Sequence, residues 1–191
     1  MADRGIFARI YRDNLWDYGS GPGSSEEYTR AYRAMLEQFL RANDIRSAID
    51  IGCGDWQFSQ LVDWHGARYT GYDVVPSVIE ADRQKFAQTD VSFELMPNDY
   101  RDLAAADLAL CKDVLQHLSL AHAEELLSIL QQRARYVLIT NCVLPEERLN
   151  LEIDDGDWRP LDIARDPFQR RPINLLAFGT KKMQLLVRGL D

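Results

Sequence analysis

Hydrophobic and polar positions alternate along this chain with a period that changes several times. Behind a Gly/Ser-rich stretch, apolar residues recur at helical spacing, which predicts an amphipathic helix over residues 25–41. Ser24, followed three residues later by Glu27, predicts a capping box at its start. The residues that define this apolar face are Tyr28, Tyr32, Met35, Leu36, Phe39 and Leu40. A short aromatic helix is predicted before the Gly/Ser stretch.

After residue 45, short apolar runs alternate with amphipathic segments. The predicted strands are RSAIDI, ARYTGYDVV, VSFELM, ADLALC and RYVLITNC. The predicted helices are WQFSQLVDW, a segment that begins at Pro76, and AHAEELLSILQQRA. Near the end of the chain, the pattern of INLLAFGTKKMQLLVRGL predicts two antiparallel strands that are joined by Gly179-Thr180-Lys181. This order predicts an α/β fold, a mostly parallel sheet with helices on both faces and a C-terminal antiparallel hairpin.

Composition narrows the class of protein. The chain has 191 residues and a net charge of -8, which predicts a single domain with an acidic surface and argues against nucleic acid as a partner. A local patch at Arg165, Arg170 and Arg171 leaves that question open. No segment has the length of a membrane span or the apolar centre of a signal peptide, so we expect a cytoplasmic protein without a membrane partner. The three cysteines have no metal-ligand spacing, and no metal is expected.

The stretch SAIDIGCGDWQF predicts a nucleotide-binding turn at the end of a strand. Gly52 and Gly54 allow the backbone to turn sharply and to approach a ligand closely. Asp73 follows Gly54 by nineteen residues and closes the next strand, where a carboxylate can accept hydrogen bonds from ribose hydroxyls. In open parallel sheets, ligands bind beyond such carboxyl ends.

The residues after the turn distinguish between nucleotides. A dinucleotide favours a third glycine, but Gln57 occupies that position, and Asp55 would repel a pyrophosphate. S-adenosylmethionine (SAM) has ribose, no phosphate and a positively charged end that suits Asp50 and Asp55. After the third strand, Asp99 is expected to accept from the exocyclic amine of adenine, with Asn98 beside the ring.

In this order, the motifs DIGCG, GYD, ND and LALCKDVLQHL resemble those of class I SAM-dependent methyltransferases. The resemblance covers about residues 45–141 and the terminal hairpin, and it implies a Rossmann-like methyltransferase fold with SAM as cofactor. NLWDYGSGPGSSEEYTR and GDWRPLDIARDPF further resemble a group of small bacterial methyltransferases, without indicating the acceptor. Signatures of nucleic-acid amino-methyltransferases are absent from the position that reads CKDV.

Further site residues follow from this expectation. His117 and Asp113 are spaced to share a helical face, which suggests a general base oriented by a carboxylate; the alternative is a histidine that only packs beside the cofactor. The GSGPGSS loop, with Trp16, Arg30 or Arg33, could hold the methionine carboxylate or could be a plain linker. Cys53 and Lys112 are expected at the cofactor. Trp158, Arg159 and Asn141 are expected to contact the acceptor.

The chain is therefore predicted to be one methyltransferase domain. Residues 1–44 would form N-terminal helices and a cofactor-covering loop, 45–141 the SAM-binding core, 142–173 a substrate lid and 174–191 the hairpin. The expected reaction is methyl transfer to an oxygen or nitrogen of a small-molecule acceptor, by a monomer or homodimer. The alternatives are a non-catalytic SAM-binding or scaffold protein and an NAD-dependent oxidoreductase.

Overall fold

A computed structural model describes residues 3–190. These residues divide into two compact units: an N-terminal unit, Arg4–Met96, and a C-terminal unit, residues 97–190 together with Asp3. Seven strands, numbered along the chain with the bounds given below, lie in the order β3-β2-β1 within the N-terminal unit and β4-β5-β7-β6 within the C-terminal unit. The predicted fold class, a mostly parallel α/β sheet ending in an antiparallel hairpin, is confirmed. The assignment of one domain stays a prediction.

The N-terminal unit has three parallel strands and three α-helices. Strand β1 pairs with β2 from Ser47 opposite Arg68 onward, and β2 pairs with β3. Its elements are α1 (Arg4–Arg12), α2 (Arg30–Ala42), β1 (Ser47–Ile51), β2 (Arg68–Asp73), α3 (Pro76–Phe86) and β3 (Val91–Leu95). Strands β1 and β2 are mostly buried because a parallel strand is covered on both faces. Asp73 is the last residue of β2, and Asp50 is the last residue but one of β1.

The C-terminal unit has the remaining four strands. Strand β4 pairs with β5 in parallel, while β7 runs antiparallel to both β5 and β6. Its elements are β4 (Ala106–Lys112), α4 (Leu120–Arg133), β5 (Ala134–Cys142), β6 (Ile173–Phe178) and β7 (Lys181–Val187). Lys181, which the sequence placed in the hairpin turn, is the first residue of β7. Nowhere in residues 3–190 is there a helix long and apolar enough to cross a membrane.

The predicted capping box at Ser24 and Glu27 is wrong. Ser24 ends a 3-10 helix, Pro22–Ser24, and α2 begins only at Arg30. Thr29 precedes α2, and its hydroxyl donates to the carbonyl oxygen of Ser25 at 2.8 Å instead of accepting from the helix. The turn of residues 25–29 is held by its own hydrogen bonds, which is why local spacing misplaced the helix start. The predicted apolar face is correct at Tyr32, Leu36, Phe39 and Leu40, which are buried.

The predicted helix WQFSQLVDW is also wrong. Within residues 55–66, only Ser59–Leu61 forms a short 3-10 helix. Trp56 has a positive φ of 54° and lies buried in an aromatic cluster with Tyr69 and Phe93. Anchoring the indole there requires a backbone conformation that an α-helix cannot contain. The glycine turn therefore leads into an irregular segment instead of a helix N-terminus.

Candidate functional site

The glycine turn after β1 is held by the end of β2. The backbone amides of Gly52 and Cys53 donate to the carbonyl oxygen of Tyr72 at 2.7 and 3.0 Å. Asp73 accepts from the Gly54 amide through Oδ2 at 3.1 Å and from the Val75 amide through Oδ1 at 2.9 Å. Asp73 thus fixes the turn through neutral donors, with its carboxylate at the carboxyl end of β2.

Two carboxyl groups near this turn are hard to ionise. Burial raises the pKa of Asp73 to about 6, against the lowering effect of its backbone hydrogen bonds. Burial, with the charges of Asp55 and Asp73, raises the pKa of Asp82 to about 7. Asp82 is 3% exposed, and its Oδ2 atom has no hydrogen-bond partner. The turn therefore concentrates negative charge that a cationic ligand would stabilise.

Asp50 and Cys53 belong to the same buried environment. The hydroxyl of Tyr69 donates to Asp50 Oδ2 at 2.7 Å. Burial, then the charges of Asp73 and Asp50, raises the pKa of the Cys53 thiol well above its ordinary value. Cys53 is therefore a neutral thiol, consistent with a small pocket-lining group and not with a thiolate nucleophile.

The predicted covering loop contacts the glycine turn directly. Ser20 Oγ lies 2.8 Å from the Tyr11 hydroxyl, donates to Asp55 Oδ1 at 2.6 Å and accepts from the Asp55 amide at 3.0 Å. Gln57 Nε2 donates to Asp55 Oδ2 at 2.8 Å and to the carbonyl oxygen of Tyr18 at 2.5 Å. Asp55 is thus bound by the loop in this structure.

Two glycines make this contact possible. A Cβ atom on Gly54, whose φ is +57°, would collide with Ser20 Oγ and lie 3.0 Å from the Tyr11 hydroxyl. A Cβ atom on Gly19, whose φ is +73°, would collide with Asp55 Oδ2. Gly54 therefore has a second function besides turning the chain: it leaves room for the N-terminal loop.

Trp16 and Arg33 lie in this N-terminal segment. The Trp16 ring packs edge-on against Tyr11, with centroids 5.7 Å apart. Arg33 Nη2 donates to the carbonyl oxygen of Glu26 at 3.2 Å. Arg33 thus braces the turn before α2, and binding of a methionine carboxylate by either residue stays a prediction.

In the C-terminal unit, Asn98 and Asp99 follow β3. Asn98 is exposed. Asp99 forms a salt bridge with Arg101 at 2.6 Å and accepts from the Arg101 amide, and these hydrogen bonds lower its pKa to about 2. An ionised Asp99 can accept from an amine, so the predicted adenine contact is chemically possible and stays a prediction.

Lys112 and Lys181 share one carboxylate oxygen at the end of β4. Lys112 Nζ lies 2.6 Å from Asp113 Oδ2, and Lys181 Nζ binds the same oxygen. Burial alone would raise the pKa of Asp113, but the two ammonium groups hold it below its ordinary value. Sequence reasoning missed Lys181 because it lies 68 residues from Asp113.

His117 does not share a helical face with Asp113, and that prediction is wrong. Asp113 has a φ of 59°, and His117 ends a 3-10 helix, Leu115–His117. Instead, His117 Nδ1 lies 2.9 Å from the carbonyl oxygen of Asp157. Because a carbonyl only accepts, Nδ1 carries the proton and Nε2 is the basic atom. Burial lowers the pKa of His117, so the ring is neutral at pH 7.

The predicted substrate lid, residues 142–173, is bonded to the segment after β4. Gly156 and Arg159 amides donate to the carbonyl oxygens of His117 and Gln116. The Arg159 guanidinium is fully buried and donates to the carbonyl oxygen of Leu118 at 2.6 Å; burial lowers its pKa to about 10. Arg159 therefore supports the His117 loop, and its predicted acceptor contact is untested.

The other two predicted acceptor residues differ in environment. Asn141 is 2% exposed, and neither polar atom of its side chain has a hydrogen-bond partner. Trp158 is half-buried and packs under the Arg148 guanidinium at 5.6 Å from the ring centroid. Contact of either residue with an acceptor stays a prediction.

A cavity of about 620 Å³ lies between the segment after β5 and the hairpin turn. Its size suits a small molecule. It includes Lys181, whose ammonium reaches Asp113, and its lining combines apolar and charged residues such as Leu144, Glu146, Leu149, Arg165 and Lys182. In residues 3–190, no cluster of three or more His, Cys, Asp or Glu side chains could hold a metal ion.

Comparison with known proteins agrees with this geometry. Residues 49–136 match the family model described as "Methyltransferase domain". A malonyl-[acyl-carrier protein] O-methyltransferase of Acetivibrio thermocellus is 26% identical over 110 residues, which cover 54% of this chain and 36% of that relative. The match thus spans little more than a third of the curated relative.

Solved methyltransferases have the same fold. A magnesium protoporphyrin IX methyltransferase from Synechocystis PCC 6803, with bound S-adenosylhomocysteine (SAH), superposes with a TM-score of 0.67 at 17% identity, covering 98% of this chain and 100% of that one. An N-methyltransferase from Bradyrhizobium japonicum, also with SAH, gives 0.65 at 13% identity and 97% coverage of both chains. The family match over residues 49–136 supports the predicted class, a SAM-dependent methyltransferase, and its cofactor, and the solved structures show the same fold.

Proposed function

We propose that this protein transfers a methyl group from SAM to an oxygen or nitrogen of a small-molecule acceptor. The observation that carries the proposal is the turn Gly52–Gly54, whose Gly54 amide donates to Asp73 Oδ2 within the segment that matches the methyltransferase family. SAM, when bound, supplies an electrophilic methyl group that needs no further activation.

The residues around the turn fit that cofactor. Asp82 has a buried oxygen without a partner, and the raised pKa values of Asp73 and Asp82 reflect negative charge that neutral donors leave unbalanced. A sulfonium and an ammonium would stabilise this charge, whereas a pyrophosphate would be repelled. We assign cofactor binding to Asp50, Gly52, Cys53, Gly54 and Asp73, with Asp99 toward the adenine.

The acceptor is proposed to bind in the cavity lined by Lys181. His117, neutral at pH 7 with Nε2 as its basic atom, would take the proton from an acceptor hydroxyl. Similarity to an O-methyltransferase also favours oxygen over nitrogen. The lid and Arg159 would position His117, because catalysis here depends mostly on alignment of the acceptor.

The test is formation of SAH from SAM with a panel of small hydroxy and amino compounds, for the wild type, Asp73→Ala and His117→Gln. We expect turnover with a subset of hydroxyl acceptors, none with Asp73→Ala, and loss of about a hundredfold in kcat with His117→Gln. SAH binding without turnover of any acceptor would favour the scaffold alternative. Binding of NADH but not SAH would favour the oxidoreductase.

A further inference from the structure

We propose that the C-terminal unit contains a second site, separate from the acceptor cavity, which binds the phosphate group of a small molecule. The site is a concave cleft of about 680 Å³ between the end of α4, the end of β7 and residues 169–171. We call it the arginine cleft. Its lining residues are Ser128, Gln131, Gln132, Gln169, Arg170, Arg171, Leu186, Val187, Arg188, Gly189 and Leu190.

The charge of the arginine cleft favours an anionic ligand. All three charged residues that line the arginine cleft are arginines, although acidic residues outnumber Lys and Arg by 30 to 22 in the whole chain. The remaining polar lining consists of one serine and three glutamines, which can donate hydrogen bonds to phosphate oxygens. Guanidinium groups match phosphate with paired, charge-assisted hydrogen bonds.

Preorganisation is the second argument. Arg188 donates through Nε and Nη2 to the carbonyl oxygens of Gln131 and Gln132, at 3.4 and 2.5 Å. Arg170 Nη2 binds Glu124 and donates to Ser128 Oγ at 3.0 Å, while its buried Nε has no hydrogen-bond partner. Arg171 is exposed, and its side chain binds no other residue in the described part of the chain. The guanidinium groups of Arg170 and Arg188 are thus fixed by the protein, and that of Arg171 is available to a ligand.

Position separates the arginine cleft from the proposed acceptor cavity. Val187, which lines the cleft, pairs with Tyr136 near the start of β5, whereas Lys181 pairs with Cys142 at the end of β5. The six steps between these pairs correspond to roughly 20 Å along the strand. A phosphate in the arginine cleft would therefore lie at the opposite end of β7 from the Lys181 ammonium and would not be the methyl acceptor's reacting group.

The experiment is an NMR titration of the full chain with pyrophosphate, with AMP and, as a control for ionic strength, with sodium chloride. We expect saturable shifts of amide signals at residues 131–132, 171 and 188–190. Arg171→Gln should weaken binding about tenfold, as the loss of a charge-assisted hydrogen bond predicts. Arg165→Gln is the matched control: another exposed arginine, lining the acceptor cavity instead, whose replacement should leave the affinity unchanged.

Tighter binding of AMP than of pyrophosphate would identify a nucleotide-like ligand, and equal binding a simple phosphate; both support the site. Shifts that do not saturate, that sodium chloride reproduces, or that both variants weaken equally would overturn it. A single-stranded oligonucleotide that binds the cleft far more tightly than either small molecule would also overturn it, in favour of a nucleic-acid surface.

Discussion

Each of the two units has a buried carboxylate where a parallel strand ends, but the groups that bind these two carboxylates differ in charge. In the N-terminal unit, Asp73 is bonded by two backbone amides, and its pKa rises to about 6. In the C-terminal unit, Asp113 is bonded by two ammonium groups, and its pKa falls below its ordinary value. Burial acts on both groups in the same direction, so the nature of the donors decides the sign of the shift.

This difference indicates different uses of the charge. Neutral donors orient Asp73 but leave its charge to be balanced by something else, which suits a site that must bind a cation. The ammonium groups balance Asp113 internally, so that carboxylate mainly fixes the positions of Lys112 and Lys181. The charge of Asp73 is therefore available to a ligand, whereas Asp113 has a structural role.

Replacing Asp73 should have the largest effect. In Asp73→Asn, one amide contact to Gly54 or Val75 loses its acceptor and the negative charge disappears, so we expect SAM affinity to fall at least about a hundredfold. Calorimetric titration measures this effect. Asp90→Asn, at an exposed position, is the control. Affinity within threefold of the wild type would contradict the assignment of Asp73 to the cofactor.

Lys181→Met tests the balanced carboxylate. Asp113 would lose one of its two cations in a buried position, so we expect about 2 kcal/mol less free energy of unfolding at pH 7. The lowered pKa of Asp113 stabilises the fold above its unfolded pKa, and this contribution is lost as the pH falls. The difference between variant and wild type should therefore shrink toward pH 3. Urea unfolding at pH 7 and pH 3 measures this difference, with Arg41→Met, at an exposed position, as the control.

Asp82→Asn tests the effect of a buried carboxylate whose charge no cation balances. A folded pKa raised to about 7 means that the folded state binds a proton more tightly than the unfolded state, so stability falls as the pH rises from about 4 to 7. The asparagine side chain carries no charge, so this loss of stability is absent from the variant. We expect the variant to be about 2 kcal/mol more stable than the wild type at pH 8, which is roughly half of the free energy that corresponds to the pKa shift of Asp82. Thermal unfolding at pH 4 and pH 8 measures it. An equal effect at both pH values would contradict the charge argument.

The smallest expected effect is a difference between SAM and SAH in how their affinities depend on pH. Protonation of Asp73 and Asp82 below pH 6 removes negative charge, so SAM, which carries the sulfonium, should bind about tenfold more weakly at pH 5 than at pH 8. SAH lacks that charge and should lose less. A ratio of SAM to SAH affinity that stays constant with pH would show that these carboxylates do not face the sulfonium.

The sequence by itself determined the seven strands along the chain, the helices α3 and α4 and the acidic glycine turn, and it indicated the class of cofactor. These features are local: β1 and β2 are short, mostly buried runs that contain β-branched and aromatic residues, and Gly52, Gly54 and Asp73 lie at spacings that reflect one strand-turn-strand unit. Short-range periodicity and turn chemistry are sufficient to predict such units.

Only the tertiary structure decided where side chains distant in sequence meet. Burial of Trp56 among aromatic residues distant in sequence replaced the predicted helix. Lys181 meets Asp113, and His117 meets the Asp157 carbonyl, because β7 and the segment of residues 142–173 return to the segment after β4. These two contacts join residues 68 and 40 positions apart, and no local pattern in the chain encodes which distant groups will meet.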